Sequence, residues 1–329
     1  MLFRIFSVFF SIFFTFVYAD AYELGRGFKI NDAIQIGGYF ATEMQLKTQQ
    51  NIASFEDIAV LAYGDINPMF SYFAELEAVG FYSRNFSQGT DSGDQKFHIE
   101  RLYGDLWLSD AYNFRFGKQI TPVGYWNKEP VNVLRDTTSN PLYSMLLFPK
   151  FLTGIDINGY VPTLSGVRYH LFGQNNRDFD EEYINIPNTH FLGLALEQEL
   201  SIDLNWGGSM GEYIATTNQR TMFVQVGAKY DDSIWQVLGE ALVGKSSYTN
   251  QEEGVALSGY LQTMYRFTQE HAFIGRYEYF NDTHLNYKDH IAIFGYSYRP
   301  LYPISLKGEY QWHAQSGENR ALFSFSVLF

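Results

Sequence analysis

Charged residues of both signs are grouped at three places where they could act on a polar solute. Arg101, Asp105 and Arg115 lie in two consecutive segments of alternating polar and apolar residues, and Arg276 and Glu278 lie in a later segment of the same kind. The third group lies in a long connector, at Lys128, Glu129, Arg135 and Asp136. A basic wall with Arg101 and Arg115, opposite an acidic connector, would create an electric field that orders polar solutes and selects ions by charge.

Two of these groups also have a simpler interpretation. The connector charges would be solvated on an exposed loop, and Arg276 and Glu278 would neutralise each other. The choice depends on whether the surrounding segments enclose a common space.

The segments that would position these charges alternate with a period of two residues. In the segment ISLKGEYQWH, Ser305, Lys307, Glu309, Gln311 and His313 face one way, and the apolar, aromatic and glycine residues between them face the other. Such segments are roughly 9–12 residues long, which exceeds the ~5–6 residues of a typical soluble strand and suits a tilted membrane crossing. Apolar residues outward and polar residues inward are typical of transmembrane barrels.

The alternation predicts about sixteen strands, an even number that leaves both chain ends on one side of a barrel. Long connectors such as 121–151 alternate with short ones such as 109–111, as in outer-membrane barrels. We therefore predict an all-β fold, a transmembrane antiparallel β-barrel. The predicted strands are 34–46, 55–63, 69–82, 97–108, 112–120, 152–161, 166–173, 190–200, 202–212, 222–231, 234–243, 255–267, 271–280, 290–298, 304–314 and 320–329.

The N-terminal residues predict export. A single cation, Arg4, precedes an apolar run over 5–17 and an Ala-x-Ala motif that ends at Ala21. This is the pattern of a secretory signal peptide, and the run of roughly 13 residues is short for a membrane anchor, which needs ~20. The predicted organisation is a signal peptide over 1–21 and one barrel domain over 22–329.

Composition excludes several functions. The formal net charge of −13 disfavours nucleic-acid binding, and the absence of cysteine excludes disulfides and thiolate metal sites. The seven histidines show no metal-binding spacing, and no Gly-x-Ser-x-Gly motif occurs, so we expect no enzyme, no metal and no cofactor. The acidic stretch DFDEE at 178–182 could hold Ca²⁺ or Mg²⁺, but an exposed, solvated loop is the simpler interpretation.

Three features carry a resemblance to a known family. The stretch RLYGDLWLSDAYNFRFGKQITPVGYWN resembles the phosphate-selective (O/P-like) porins of Gram-negative bacteria. The aromatic, apolar segment 121–150 is similar in position to the third outer loop of general porins, which folds into the lumen and narrows the pore. The terminal Phe329 resembles the final aromatic residue of outer-membrane proteins, which the barrel-assembly machinery reads in that family.

The resemblance implies a porin in the bacterial outer membrane, which contacts lipid and lipopolysaccharide, forms a homotrimer and allows passive diffusion of small hydrophilic solutes. The alternative is a ligand-specific uptake or binding protein, for example one selective for a siderophore or phosphate. Inward-facing acids outnumber inward-facing bases by roughly eleven to seven when the sides of the strands alternate as in a barrel. This balance favours weak cation preference or general diffusion over anion selectivity.

Overall fold

The strands of the chain form one closed antiparallel sheet. The structure is a computed structural model that describes residues 22–48, 50–247 and 253–329, so the predicted signal peptide lies outside the described residues. Sixteen long strands follow one another in sequence order, and the last pairs with the first long one. The prediction of sixteen barrel strands is therefore confirmed.

The barrel strands all overlap their predicted ranges. They are β3 (Ile34–Lys47), β4 (Asn51–Asn67), β5 (Phe70–Asn85), β7 (Lys96–Trp107), β8 (Asn113–Ile120), β9 (Phe151–Tyr160), β10 (Val167–Gln174), β11 (Asn188–Glu199), β12 (Leu204–Ala215), β13 (Arg220–Asp231), β14 (Trp235–Ser247), β15 (Gly254–Arg266), β16 (His271–Asp282), β17 (Tyr287–Leu301), β18 (Ile304–His313) and β19 (Arg320–Leu328). Three short strands, β1 (Tyr22–Glu23), β2 (Gly27–Asn31) and β6 (Thr90–Ser92), extend the sheet at its margins.

Strand β18 shows why these residues form a barrel wall. Ser305, Lys307 and Gln311 are buried, whereas Tyr310 and Trp312 are about half exposed, at 48% and 50%. In an isolated molecule the exposed face is the outer one, so the apolar side chains point outward and the polar ones inward. This is the register that the period-two pattern predicts, and it suits hydrocarbon outside and polar surroundings inside.

The seam between β3 and β19 closes the barrel. Nine residue pairs join the strands, from Arg320 opposite Lys47 to Leu328 opposite Tyr39. The terminal Phe329 continues this pairing, because its backbone N–H and C=O both bond to Gly38 at 2.7 Å. A side chain at Gly38 would lie within 3 Å of the Phe329 ring, so glycine gives the ring its place.

The two ends of the barrel differ in their connectors. At the end that carries both chain termini, here called the turn end, the connections are short, as at 68–69 and 302–303. At the opposite loop end, segments 121–150 and 175–187 are long. Segment 121–150 contains two 3₁₀ turns (Trp126–Lys128 and Asn132–Leu134) and the helix α1 (Leu142–Leu146). Within the described ranges, no helix is long and apolar enough to cross a membrane.

Substitution of Tyr310 by arginine tests the outward register. The Tyr310→Arg variant should lose about 2–4 kcal/mol of folding free energy, because a cation would face hydrocarbon near the middle of a strand. Tyr302→Arg is the matched control: Tyr302 lies in a turn and is 71% exposed, so the cost there should be about 0–1 kcal/mol. Urea titration of the protein in phospholipid vesicles measures both values, and equal costs would contradict the register.

Candidate constriction inside the barrel

Segment 121–150 is bonded to inward-facing side chains of the barrel. Three carboxylates, each on a different strand, accept hydrogen bonds from its backbone N–H groups. They are Glu240 on β14 (from Tyr125 at 2.7 Å and Trp126 at 3.1 Å), Glu278 on β16 (from Leu142 at 2.9 Å) and Glu309 on β18 (from Thr138 at 2.9 Å and Ser139 at 3.2 Å). Bonds to a charged acceptor are roughly twice as strong as neutral ones, so these carboxylates anchor the segment.

Three cations bind the same segment through its oxygen atoms. Lys307 donates to the carbonyl of Asn132 at 2.7 Å, and Arg299 donates to the carbonyl of Arg135 at 2.7 Å. Arg276 donates to the hydroxyl of Ser139 at 2.7 Å. Anchors of both signs therefore hold residues 125–142 against β14 to β18.

An apolar core lies beneath the first and last parts of the segment. Trp126, Tyr143 and Phe148 are buried in one cluster with inward-facing residues of the wall, which include Phe172, Phe191, Phe223 and Tyr260. Where this cluster lies, the barrel wall is apolar on both faces. The hydrophobic effect adds to the charged anchors, because these rings lose their contact with water only where segment and wall meet.

Arg276 and Glu278 bond to segment 121–150 rather than to open water. Their side chains form an ion pair at 2.8 Å, and both residues are 3% exposed. This geometry matches the simpler interpretation, in which the two charges neutralise each other. Each also bonds to the segment, so neither is free to contact a passing solute.

The wall that carries Arg101 and Arg115 is acidic rather than basic. Arg101 pairs with Glu75 on β5, and Arg115 forms two bonds with Asp105, at 2.7 and 3.0 Å. The guanidinium groups also lie over aromatic rings of the same wall, 4.4 Å from the centre of Phe73 for Arg101. The predicted positive sign of this wall is therefore wrong, because carboxylates of neighbouring strands neutralise both cations. The further acids of this wall are Asp57, Glu77 and Glu100.

Two β-bulges add charges to that wall. The pairing of β5 with β7 skips Glu100, and the pairing of β3 with β4 skips Glu56. A bulge places an extra residue in one strand and changes the direction of its side chain. Glu100 is consequently buried and accepts a bond from the inward-facing Tyr39 at 3.1 Å. Strict alternation could not predict consecutive inward charges at Glu100 and Arg101.

The four predicted connector charges lie together around one cavity. Lys128, Glu129, Arg135 and Asp136 all line a space of about 480 Å³ near the turn end of the barrel. Lys128 pairs with Glu197 of β11. Burial raises the pKa of Glu129 and of Asp136. Nearby cations, of which Lys229 acts on both residues, partly offset this rise in pKa. Lys128, Arg135 and Asp136 are partly buried at this cavity, whereas Glu129 is exposed.

A second segment, 175–187, also reaches the inner wall. Asp178 binds the buried Lys118 at 2.9 Å, Asp180 binds His98 at 3.0 Å, and Tyr183 donates to Glu77. The simpler interpretation as a solvated loop is therefore wrong for Asp178 and Asp180, whereas the Glu182 side chain is 77% exposed. In the described ranges, no three His, Asp or Glu side chains are arranged to hold a metal ion. The sequence signal for this segment was the interleaving of aromatic and acidic residues in FDEEY.

The barrel is similar in structure to known outer-membrane proteins. OmpF of Salmonella typhi, in complex with daunomycin, has a TM-score of 0.67 and 13% identity, over 92% of this chain and 99% of that chain. The anion-selective porin of Comamonas acidovorans has a TM-score of 0.64 and 11% identity, over 90% and 99%. OmpT of Vibrio cholerae in a trimer form has a TM-score of 0.60 and 11% identity, over 90% and 99%.

The fold is that of the outer-membrane porins. No protein-family model and no curated protein sequence matches the chain. The porin fold is therefore recognised from the path of the backbone.

A disulfide between segment and wall tests whether segment 121–150 lies inside the barrel. The hydroxyl oxygens of Thr138 and Ser324 lie 2.8 Å apart, and the chain has no cysteine of its own. The double variant Thr138→Cys/Ser324→Cys should form a disulfide under mild oxidation, visible as a reducible shift on a gel. In the control, Thr138→Cys/Phe323→Cys, the second cysteine faces outward and should stay free. A disulfide in both variants, or in neither, would contradict this placement.

Proposed function

We propose that the protein is a porin of the bacterial outer membrane, through which small hydrophilic solutes and ions diffuse passively. The observation that carries the proposal is a closed barrel with an apolar outer face and charged inner walls. Lipid suits the outer face, because each of the sixteen long strands in the described ranges is paired on both sides, which leaves none of them with a free backbone edge in hydrocarbon. Aromatic residues at the turn-end termini of the strands, such as Trp107, Tyr160 and Trp235, fit a membrane interface.

We propose further that segment 121–150 narrows the passage. Support comes from its anchors on β14, β16 and β18 and from the grouping of Lys128, Glu129, Arg135 and Asp136 around a remaining space. Segment 175–187 occupies part of the interior as well. A solute would then pass between the acidic wall of β4 to β8 and the cations of β13 to β18, among them Lys229 and Arg266. This transverse field would point in the opposite direction to the one expected from the sequence, in which the wall with Arg101 and Arg115 was basic.

Removal of the constriction should enlarge the pore. A variant in which a short glycine-serine linker replaces residues 126–146 should show a larger single-channel conductance than the parent in a planar bilayer. The control removes the exposed residues 86–89 from the connection between β5 and β6 and should leave the conductance unchanged. Equal conductance of parent and 126–146 variant would refute the constriction.

The parent protein should conduct without any added ligand, in stepwise openings, which separates a porin from an uptake protein that stays silent until it binds its ligand. In a potassium chloride gradient, the reversal potential should show a weak preference for potassium. If the purified protein shows no conductance in the absence of ligand, the result would favour the uptake protein.

We also propose that Phe329 has a second role, in recognition by the barrel-assembly machinery. Phe329→Ala keeps the two backbone bonds to Gly38 but removes the ring. The variant should therefore refold from urea into detergent as the parent does, while its amount in the outer membrane of living cells falls severalfold. Loss of refolding in detergent would make the ring a structural element only. Normal amounts in cells would contradict recognition.

The assembled form that we propose is a homotrimer. The support is the similarity to OmpT, for which a trimer form is known. Lipid and lipopolysaccharide would then surround the outer faces that are not in contact with neighbouring copies.

A further inference from the structure

The cavity that the connector charges line combines features of a binding site with those of a water passage. It is about 480 Å³ in volume, within the range of roughly 300–1,000 Å³ that is common for small-molecule sites. It lies at the turn end, between residues 125–136 of the anchored segment and the inner faces of β13 to β17.

Part of the cavity wall is apolar. Leu238, Met264 and Ala272 come from the adjacent strands β14, β15 and β16 and line the cavity side by side, with Leu134 of the segment facing the same space. A passage for ions alone gains nothing from such a patch, whereas a pocket with a few polar groups around an apolar floor is the usual form of a ligand site.

Opposite charges border this floor on two sides. On the strand side, Lys229 and Arg266 both pair with the single carboxylate Asp231, at 3.4 and 2.9 Å, which leaves an excess of positive charge. On the segment side lie the carboxylates Glu129 and Asp136 together with two cations, Lys128, which pairs with Glu197, and Arg135, which donates to the backbone carbonyl of Glu129. Among the described residues, no ion pair within 4 Å joins Glu129 or Asp136 to a cation, although Asp136 accepts a hydrogen bond from Gln262 at 3.2 Å, so both carboxylates can still attract a further cationic group.

A buried hydroxyl supplies a second, independent indication of a ligand. Ser297 lines the cavity and is 3% exposed, and its hydroxyl has no hydrogen-bond partner. Buried polar groups are nearly always paired, and an unpaired one calls for an unseen partner such as water or a bound molecule.

We propose that this cavity is a subsite for zwitterionic amino acids with an apolar side chain. The carboxylate of the amino acid faces Lys229 and Arg266, its ammonium group faces Glu129 and Asp136, and its side chain lies on Leu238, Met264 and Ala272. The inference rests on the proposed function, since the subsite would lie on the path of diffusing solutes. The subsite would give the porin a preferred substrate class, apolar amino acids, among the small hydrophilic solutes that pass through it.

Four probe molecules separate the contributions of charge and apolar surface. L-leucine carries all three groups, glycine lacks the side chain, isopentylamine lacks the carboxylate and 4-methylpentanoate lacks the ammonium group. In a planar bilayer, L-leucine should reduce the ion current at concentrations at least about tenfold lower than any of the other three. Loss of one charge-assisted contact costs about that factor for isopentylamine and 4-methylpentanoate, and loss of the apolar side chain costs about as much for glycine. Equal effects of leucine and any one of the others would overturn the inference.

A variant of the strand-side charge completes the test. Lys229→Gln should raise the half-blocking concentration of L-leucine about tenfold, because it removes a charged partner of the carboxylate. Lys245→Gln is the control, since Lys245 is exposed at the loop end, where it pairs with Glu253, and the half-blocking concentration should not change.

A parent channel that conducts but is not blocked by leucine would refute the subsite and leave the proposed porin function intact. If the parent is silent, calorimetric titration of the detergent-solubilised protein with L-leucine decides: binding would retain the subsite without the porin, and no binding would refute both.

Discussion

The pairing of the last strand with the first long one is the constraint on which the rest of the structure depends. Hydrocarbon offers no partner for a free N–H or C=O group, so a sheet can cross a membrane only when it has no edge. The seam between β3 and β19, extended by Phe329 to Gly38, removes the edge. Closure also creates the interior, because one face of every strand must then point toward a common space.

The interior is organised by charge that is neutralised locally. Glu240 and Glu309 meet backbone N–H groups, Lys307 meets carbonyl oxygens, and Arg276 meets both Glu278 and the segment. An unpaired ion in surroundings of low polarity is costly in free energy. The inward-facing charges of opposite walls therefore pair with charged or polar groups close to them. What remains to act on a solute is the incompletely paired set around the turn-end cavity.

The sequence predicted the strands better than the site, for a physical reason. A period of two residues is a local property, so the sixteen strands and the register of β18 follow directly from it. Neighbouring strands are also adjacent in space, so Asp105 and Arg115 were placed on adjacent strands, but their pairing at 2.7 Å was not predicted. The anchors, by contrast, join residues more than a hundred positions apart, as for Glu240 and Tyr125. The bulge at Glu100 and the apolar inner wall around Phe191 break the alternation itself, so no rule based on it could find them.

Amide hydrogen exchange of the protein in phospholipid vesicles tests closure most directly. Exchange reports how often each backbone hydrogen bond opens, so amides at a closed seam should exchange as slowly as amides between any other pair of barrel strands. Amides of β3 and β19 that face each other should exchange as slowly as those between β13 and β14. If the amides of β3 and β19 exchange rapidly while the pair β13–β14 stays protected, the sheet is open, and a sealed lumen is contradicted.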